Sequence, residues 1–365
     1  MENNSVDLTV IERIQSEIEK IDKKESNVYF FVIDTKGNPS GSLGYIYNLA
    51  MVLSKNGYNV GMLYQEEEFI GVGEWLGESF AALPHYDISD GDVSVSASDI
   101  LFIPEIFSNI MMQTKKLPCK RIAIMQNYDF VLEQMPISAQ WGDLGIMEAI
   151  TNTDENAEHI KDIFPYVKTT TVSPFIENIF GETSEPKQMI INVVCKEQRD
   201  INRIIKPFYW KYPMYKWVSF RDLRGFPKEY YSKLLREGAI TVWVDDDTNF
   251  GYSALEAMKS GSIVIAKTPN ENQSWMNGED ENTLSNCCVW FENFHDLHKI
   301  LASVVRAWVT DNVPSEIAEA AKETVNKYTY ENTEKQILEY IDGVFANRKK
   351  EMESLITYIN SQEEK

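Results

Sequence analysis

Short continuous apolar runs, separated by stretches with helical spacing, recur along the whole chain. A short continuous apolar run bounded by turn residues is the signature of a strand buried on both faces. Such runs fall at 28–33, 59–63, 100–103, 121–125, 149–151 and 169–172, and again at 189–194, 216–220, 240–244, 262–266 and 289–291. Between them lie helical patterns, the clearest at 43–55, which follows the Gly/Pro/Ser loop 37–44 and stops at Asn56-Gly57. Strand and helix in alternation predict parallel sheets with helices on both faces.

The alternation pauses once, at GETSEPKQ (181–188), a polar stretch with a glycine and a proline and no apolar residue. It is the expected linker between a first α/β domain, 27–180, and a second, 189–330. Residues 1–26 place Val10, Ile14, Ile18 and Ile21 at helical spacing and predict an amphipathic helix ahead of the fold. Residues 331–365 form a heavily charged helical segment with Ile337, Tyr340, Ile341 and Phe345 on one face.

Charge narrows the possible partners. Thirty-five Lys and Arg against 56 Asp and Glu leave a net charge of −21 over 365 residues, which excludes a generally basic, phosphate-seeking surface. Any anion site must be local, and residues 196–236 supply one, with 11 Lys and Arg against four acids. No apolar run reaches the roughly 18–20 residues of a membrane helix, and the amino terminus lacks a basic patch followed by an apolar core. A cytoplasmic protein is expected, with Cys119, Cys195, Cys287 and Cys288 reduced and buried. His295 and His298 lack the companions of a metal site, and the GxGxxxG stretch at 71–77 has no apolar strand feeding it, so it is read as a loop.

The segment DDDTNFGYSALEAMKSGSIVIAKTP (245–269) carries the most chemistry. A strand runs into an acidic turn, then Gly251, then a helix. The free N–H groups of a helix starting near Gly251 suit a phosphate, and Glu256 lies about one and a half turns in, where it can reach the hydroxyls of whatever the phosphate carries. Lys196 and Arg199 follow the first strand of the second domain, where the carboxyl end of a parallel sheet opens into a ligand crevice.

Phe250-Gly251-Tyr252-Ser253-Ala254-Leu255-Glu256-Ala257-Met258-Lys259-Ser260-Gly261-Ser262-Ile263-Val264 resembles the E-x7-E motif of the GT-B glycosyltransferases of the "glycosyl transferases group 1" type. The resemblance extends over most of 28–330. It implies an α/β fold of two Rossmann-like doubly wound domains facing across a cleft, and a retaining transfer from a nucleotide sugar, most naturally a UDP-sugar, with no metal and no further cofactor. Glu256 would bind the donor ribose, with Phe250, Gly251, Tyr252 and Ser253 around it, and Lys196 and Arg199 would grip the diphosphate. Arg221, in the loop 219–227, would lie near the base. Thr248 stands where the family has its first glutamate, with Asp247 beside it, so these two would act near the anomeric carbon. Gly41, Ser42 and Gly44 are similar to the family's glycine loop, and Glu105, Gln126, Asn127 and Tyr128 would line the acceptor side.

The acceptor stays open between a glycan, a lipid-linked glycan, a small metabolite and a hydroxymethylated DNA base. Lys115, Lys116, Lys120 and Arg121 form a candidate basic face for DNA or for peripheral membrane contact. Two other readings remain. Thr248 in place of glutamate is compatible with a non-catalytic module that binds a sugar nucleotide or glycan. Asp245, Asp246 and Asp247 are compatible with a metal-dependent glycosyltransferase in which carboxylates hold a divalent ion against the diphosphate.

Overall fold

A computed structural model describes residues 8–363 except 22–24, 92, 248–249, 272, 279 and 281–282. The chain forms two compact units, one of residues 1–173 with 333–365 and the other of 174–332. Among the described residues no helix is long and apolar enough to cross a membrane.

The first unit is built on seven parallel strands, β1 (Asn27–Phe31), β2 (Asn59–Tyr64), β3 (His85–Asp87), β4 (Ile100–Pro104), β5 (Lys120–Met125), β6 (Glu148–Thr151) and β7 (Lys168–Thr171). Their order is β3-β2-β1-β4-β5-β6-β7. The chain therefore winds outward from β1 in one direction, then restarts at β4 and winds in the other. The central strands read NVYFF and ILFIP, buried at nearly every position as both-face burial demands.

The second unit has five parallel strands, β8 (Gln188–Cys195), β9 (Ser219–Asp222), β10 (Gly238–Val244), β11 (Ile263–Lys267) and β12 (Val289–Phe291), in the order β12-β11-β10-β8-β9. Here the winding reverses between β8 and β10. In open α/β sheets the carboxyl ends of the two strands flanking such a reversal splay their loops apart and leave room for a ligand. Each unit has one such point: β1/β4 in the first and β8/β10 in the second.

Several elements differ from the sequence reading. The strand expected at 216–220 is Ser219–Asp222, because Pro213 opens a 3-10 turn, Pro213–Tyr215, and Val218 still donates back to the Tyr215 carbonyl at 3.0 Å. His85–Asp87 is an edge strand without an apolar run. The polar stretch 181–188 lies inside the second unit: Ile176 and Phe180, which precede it, are buried in that unit's core, and the Ile176 N–H donates to the Tyr328 carbonyl at 3.0 Å. The C-terminal helix Tyr330–Glu363 packs on the first unit, where Asp342 accepts from the Tyr58 hydroxyl at 2.5 Å and Ile337 and Ile341 are fully buried. At the other end the described helix is Leu8–Lys20. All four cysteines are buried and unpaired.

Candidate functional site

In the first unit, the helix Gly41–Lys55 starts directly over the β1/β4 reversal. Ser40 caps it, its hydroxyl accepting from the Leu43 N–H at 3.3 Å, which satisfies one of the free donors of the first turn. Beneath this start lies a cavity of about 220 Å³, lined by Ser42, Glu105, Gln126, Phe107, Phe130 and Ile33 among others. Glu105 follows β4 and is 2% exposed; its Oε1 accepts from the backbone N–H groups of Gln126 at 3.0 Å and Asn127 at 2.9 Å. Burial pushes its pKa up to about 7 despite these donors. Gln126 donates from Nε2 to the Ser42 carbonyl at 3.1 Å, and its buried Oε1 has no hydrogen-bond partner. A buried amide oxygen without a donor is costly, and a ligand hydroxyl entering the cavity relieves it.

The cavity thus gathers Ser42, Glu105 and Gln126 from three separate stretches of sequence. The other first-unit candidates sit around it. Asn127 caps the helix Tyr128–Gln134 by accepting from the Asp129 N–H at 2.8 Å, Tyr128 packs its ring on His159 at 4.7 Å, and Gly44 is buried against Trp75. Gly41, at the start of the helix, is exposed.

The basic face expected at 115–121 does not form. The Lys120 ammonium is paired with Glu148 at 2.7 Å, and the buried Arg121 guanidinium donates to the carbonyls of Met111, Leu144 and Gly145 at 2.9–3.2 Å. Arg121 closes a loop instead of meeting a polyanion, and only Lys115 and Lys116 remain outward in this stretch.

In the second unit, Cys195 and Val244 are register partners at the ends of β8 and β10. The next residue on each strand, Lys196 and Asp245, therefore meets its neighbour, and Lys196 Nζ lies 2.8 Å from Asp245 Oδ1. Lys196 is 70% exposed along its side chain, so this pair is a loose surface bridge that an incoming anion can displace. Arg199 projects from the first turn of the helix Gln198–Lys211 and is exposed. Arg224 joins them: held by Asp222, it donates to Gln198 Oε1 at 2.7 Å and to the Lys196 carbonyl at 3.5 Å. Its position at the end of the edge strand β9, beside the start of that helix, was visible only once the strand order was known.

The acidic turn does not converge on one point. Asp245 faces Lys196, Asp246 pairs with Lys267, and Asp247 accepts from Asn270 Nδ2 at 2.9 Å. Among the described residues no group of three or more His, Cys, Asp or Glu side chains comes together as a metal site. Thr248 lies outside the described residues.

Gly251 then takes φ +81°, the left-handed region, and a Cβ there would stand 2.7 Å from the Trp275 ring. Only glycine fits. Trp275 in turn donates from its indole to the Phe250 carbonyl at 2.7 Å, fixing the turn that starts the helix Tyr252–Lys259. Tyr252 and Ser253 occupy its first turn, with Phe250 buried below them. One turn further on, Glu256 faces Lys228, Glu177 and Tyr231. Burial raises its pKa to about 8, Lys228 opposing and Glu177 adding to the shift. The Tyr231 hydroxyl is buried beside it without a partner of good geometry. Lys228, whose ammonium lies 2.5 Å from Glu177, was legible only as one of the 11 cations of 196–236, and Tyr231 carried no motif. Arg221 points elsewhere, to Glu237 at 3.1 Å in the last turn of the helix Lys228–Glu237.

Solved structures share this architecture. Sucrose-phosphate synthase from Thermosynechococcus elongatus superposes with a TM-score of 0.61 at 11% identity, over 88% of this chain and 100% of its own. The pneumococcal O-GlcNAc transferase GtfA, solved with UDP and GlcNAc, gives 0.61 at 7% over 87% and 99%. An alpha-glucosyltransferase solved with UDP and a 13-mer DNA containing an HMU base gives 0.57 at 11% over 87% and 98%. The chain has the GT-B glycosyltransferase fold. No protein-family model matches the sequence, and no curated protein matches it either. Within the GT-B fold, both candidate sites occupy the winding reversal of their own sheet.

Proposed function

We propose that the protein transfers a glycosyl group from a nucleoside-diphosphate sugar, a UDP-sugar, to an acceptor hydroxyl with retention of configuration and without a metal. The observation that carries this reading is the group of cations that follows β8 and β9, with Lys196 beside Asp245, Arg224 donating to the Lys196 carbonyl and to Gln198, and Arg199 exposed on the helix that Gln198 opens, in a chain of net charge −21. As the bond to the diphosphate breaks, negative charge grows on the leaving oxygens, and fixed cations and N–H groups stabilise that charge more than they stabilise the ground state. Lys196 leaves Asp245 for the phosphate, Arg199 supplies a second cation, and the departing phosphate takes the acceptor's proton. Glu256, held between Lys228 and Tyr231, accepts or donates to the ribose hydroxyls. Asp247 and Thr248 act near the sugar. Two of the three similar structures described above were solved with UDP, which favours uridine as the base.

The acceptor belongs to the first unit. Its cavity holds a carboxyl with a raised pKa and an unsatisfied amide oxygen, and among the described residues no Lys or Arg lines it, so a neutral hydroxylated acceptor fits better than a phosphorylated one. Incubation with UDP-, GDP- and ADP-sugars, followed by NMR of the released or transferred sugar, tests the proposal. Hydrolysis or transfer of the UDP-sugar in EDTA, with the anomeric configuration kept, is expected. Inversion, or activity abolished by EDTA, rejects it. The replacement of the family's first glutamate by Thr248 favours a second reading, a non-catalytic sugar-nucleotide module, which saturable binding with no turnover on any acceptor mixture would establish.

A further inference from the structure

The helix Gln198–Lys211 and the 3-10 turn after it carry the segment KPFYWKYPMYKW, residues 206–217. Within eight residues, Trp210, Met214 and Trp217 are 78%, 64% and 54% exposed. Isolated apolar side chains at a surface are ordinary, but three large ones within eight residues, from the end of the helix through the 3-10 turn to the residues after it, call for a partner. Part of their base is packed. Phe208, fully buried, stacks on Tyr215 with ring centroids 5.7 Å apart, Tyr215 meets Trp217 edge-on at 6.4 Å, and the Tyr209 hydroxyl donates to the Val218 carbonyl at 2.5 Å. Trp217 thus stands on a packed aromatic base.

Charge indicates what covers them. Lys206, Lys211 and Lys216 are all exposed, and 206–217 holds no acid, although the chain as a whole carries −21. The helix Gln198–Lys211 and the helix Phe294–Val309 packed against it hold one acid each, and both are neutralised: Asp200 by Arg203 at 3.1 Å and Asp296 by Lys299 at 2.7 Å. The cationic character of the patch is therefore not cancelled locally. Indole rings beside lysines are the combination suited to a bilayer interface, the indole lying at headgroup depth while the ammonium meets lipid phosphate.

We propose that this platform docks the protein on the surface of an anionic phospholipid bilayer. It precedes β9, at the amino ends of the second sheet's strands, whereas Lys196 and Asp245 follow the carboxyl ends, so docking leaves the β8/β10 reversal open. The proposal does not depend on glycosyl transfer, and its test uses no sugar donor.

The experiment is co-sedimentation of the full chain with vesicles of phosphatidylcholine alone or with about one third phosphatidylglycerol. Wild type is expected to pellet with the anionic vesicles and to be released by raised salt. K206E/K211E/K216E is expected to lower the partition coefficient by roughly tenfold or more, and W210S/M214S/W217S to abolish pelleting while far-UV circular dichroism stays unchanged. Should that triple variant misfold, acyl-brominated lipid provides a second readout: it quenches part of the wild-type tryptophan emission, and W210S removes part of that quenching. Equal binding to neutral vesicles, no loss in either triple variant, or association that sedimentation traces to a second copy or to another protein and not to lipid would overturn the proposal.

Discussion

The two winding reversals are equivalent in topology and opposite in chemistry. At β1/β4 the polar groups are enclosed: Glu105 is almost fully buried, burial raises its pKa to about 7, and its partners are backbone N–H groups. At β8/β10 they are exposed and charged, with Lys196 paired to Asp245 across the strand ends. An enclosed acid rejects anions and selects by hydrogen bonding, whereas an open cation collects anions and selects little. The same architecture thus sets an enclosed polar pocket and an open charged surface at equivalent positions, and they differ by burial more than by residue type.

Breaking the backbone of the open site should have the largest effect. Gly251→Val forces a β-branched residue to positive φ and into the Trp275 ring, and is expected to destabilise the second unit by about 2–4 kcal/mol, read by thermal denaturation. Arg199→Ala tests the charge itself. With Arg199 exposed, the melting temperature should hold, while kcat/KM falls by roughly 2–4 kcal/mol of transition-state stabilisation. Near-normal transfer by this variant removes Arg199 from the site.

The enclosed site should respond to pH instead. Glu105 has its pKa raised from 4.5 in the unfolded reference to about 7 in the fold, so the stability it contributes is complete below pH 4.5 and is lost as pH rises through 7. Glu105→Gln is expected to flatten that decline, by about 2–3 kcal/mol across the window, in chemical denaturation at a series of pH values. A wild-type profile already flat there would show that the carboxyl is ionised and the contrast between the sites false. The smallest effect belongs to Asp245→Asn. Stability should move by no more than about 0.5 kcal/mol, since the bridge is exposed, while freeing Lys196 tightens UDP binding by roughly twofold to fivefold in calorimetry.

The strands with both faces buried were legible because their composition is fixed by burial, as in NVYFF and GAITVWV. Edge strands were read unevenly: 169–172 and 289–291 were legible, whereas HYD has no apolar run to signal it, and the strand read at 216–220 begins only at Ser219 because Val218, apolar and buried, belongs to the turn before β9. The glycine-led motif at 250–264 revealed a helix start because positive φ leaves few choices of residue. Partners were harder to read. Arg121 looks like Lys115 in a sequence, and only the carbonyls of Met111, Leu144 and Gly145 distinguish a structural guanidinium from a free one. Lys228 and Tyr231 reach Glu256 from another helix, a proximity that no local pattern encodes.

The hydrogen bond from Ile176 to Tyr328 has one more consequence. It ties together the two ends of the second unit, a single uninterrupted stretch from Pro174 to Asn332, while Thr333 donates to the Ser173 carbonyl at 2.6 Å and closes the first unit on its own side. The smaller body is therefore a cassette inserted into the larger one, with entry and exit already adjacent, and such an insert can be excised, permuted or exchanged between scaffolds without unravelling its host.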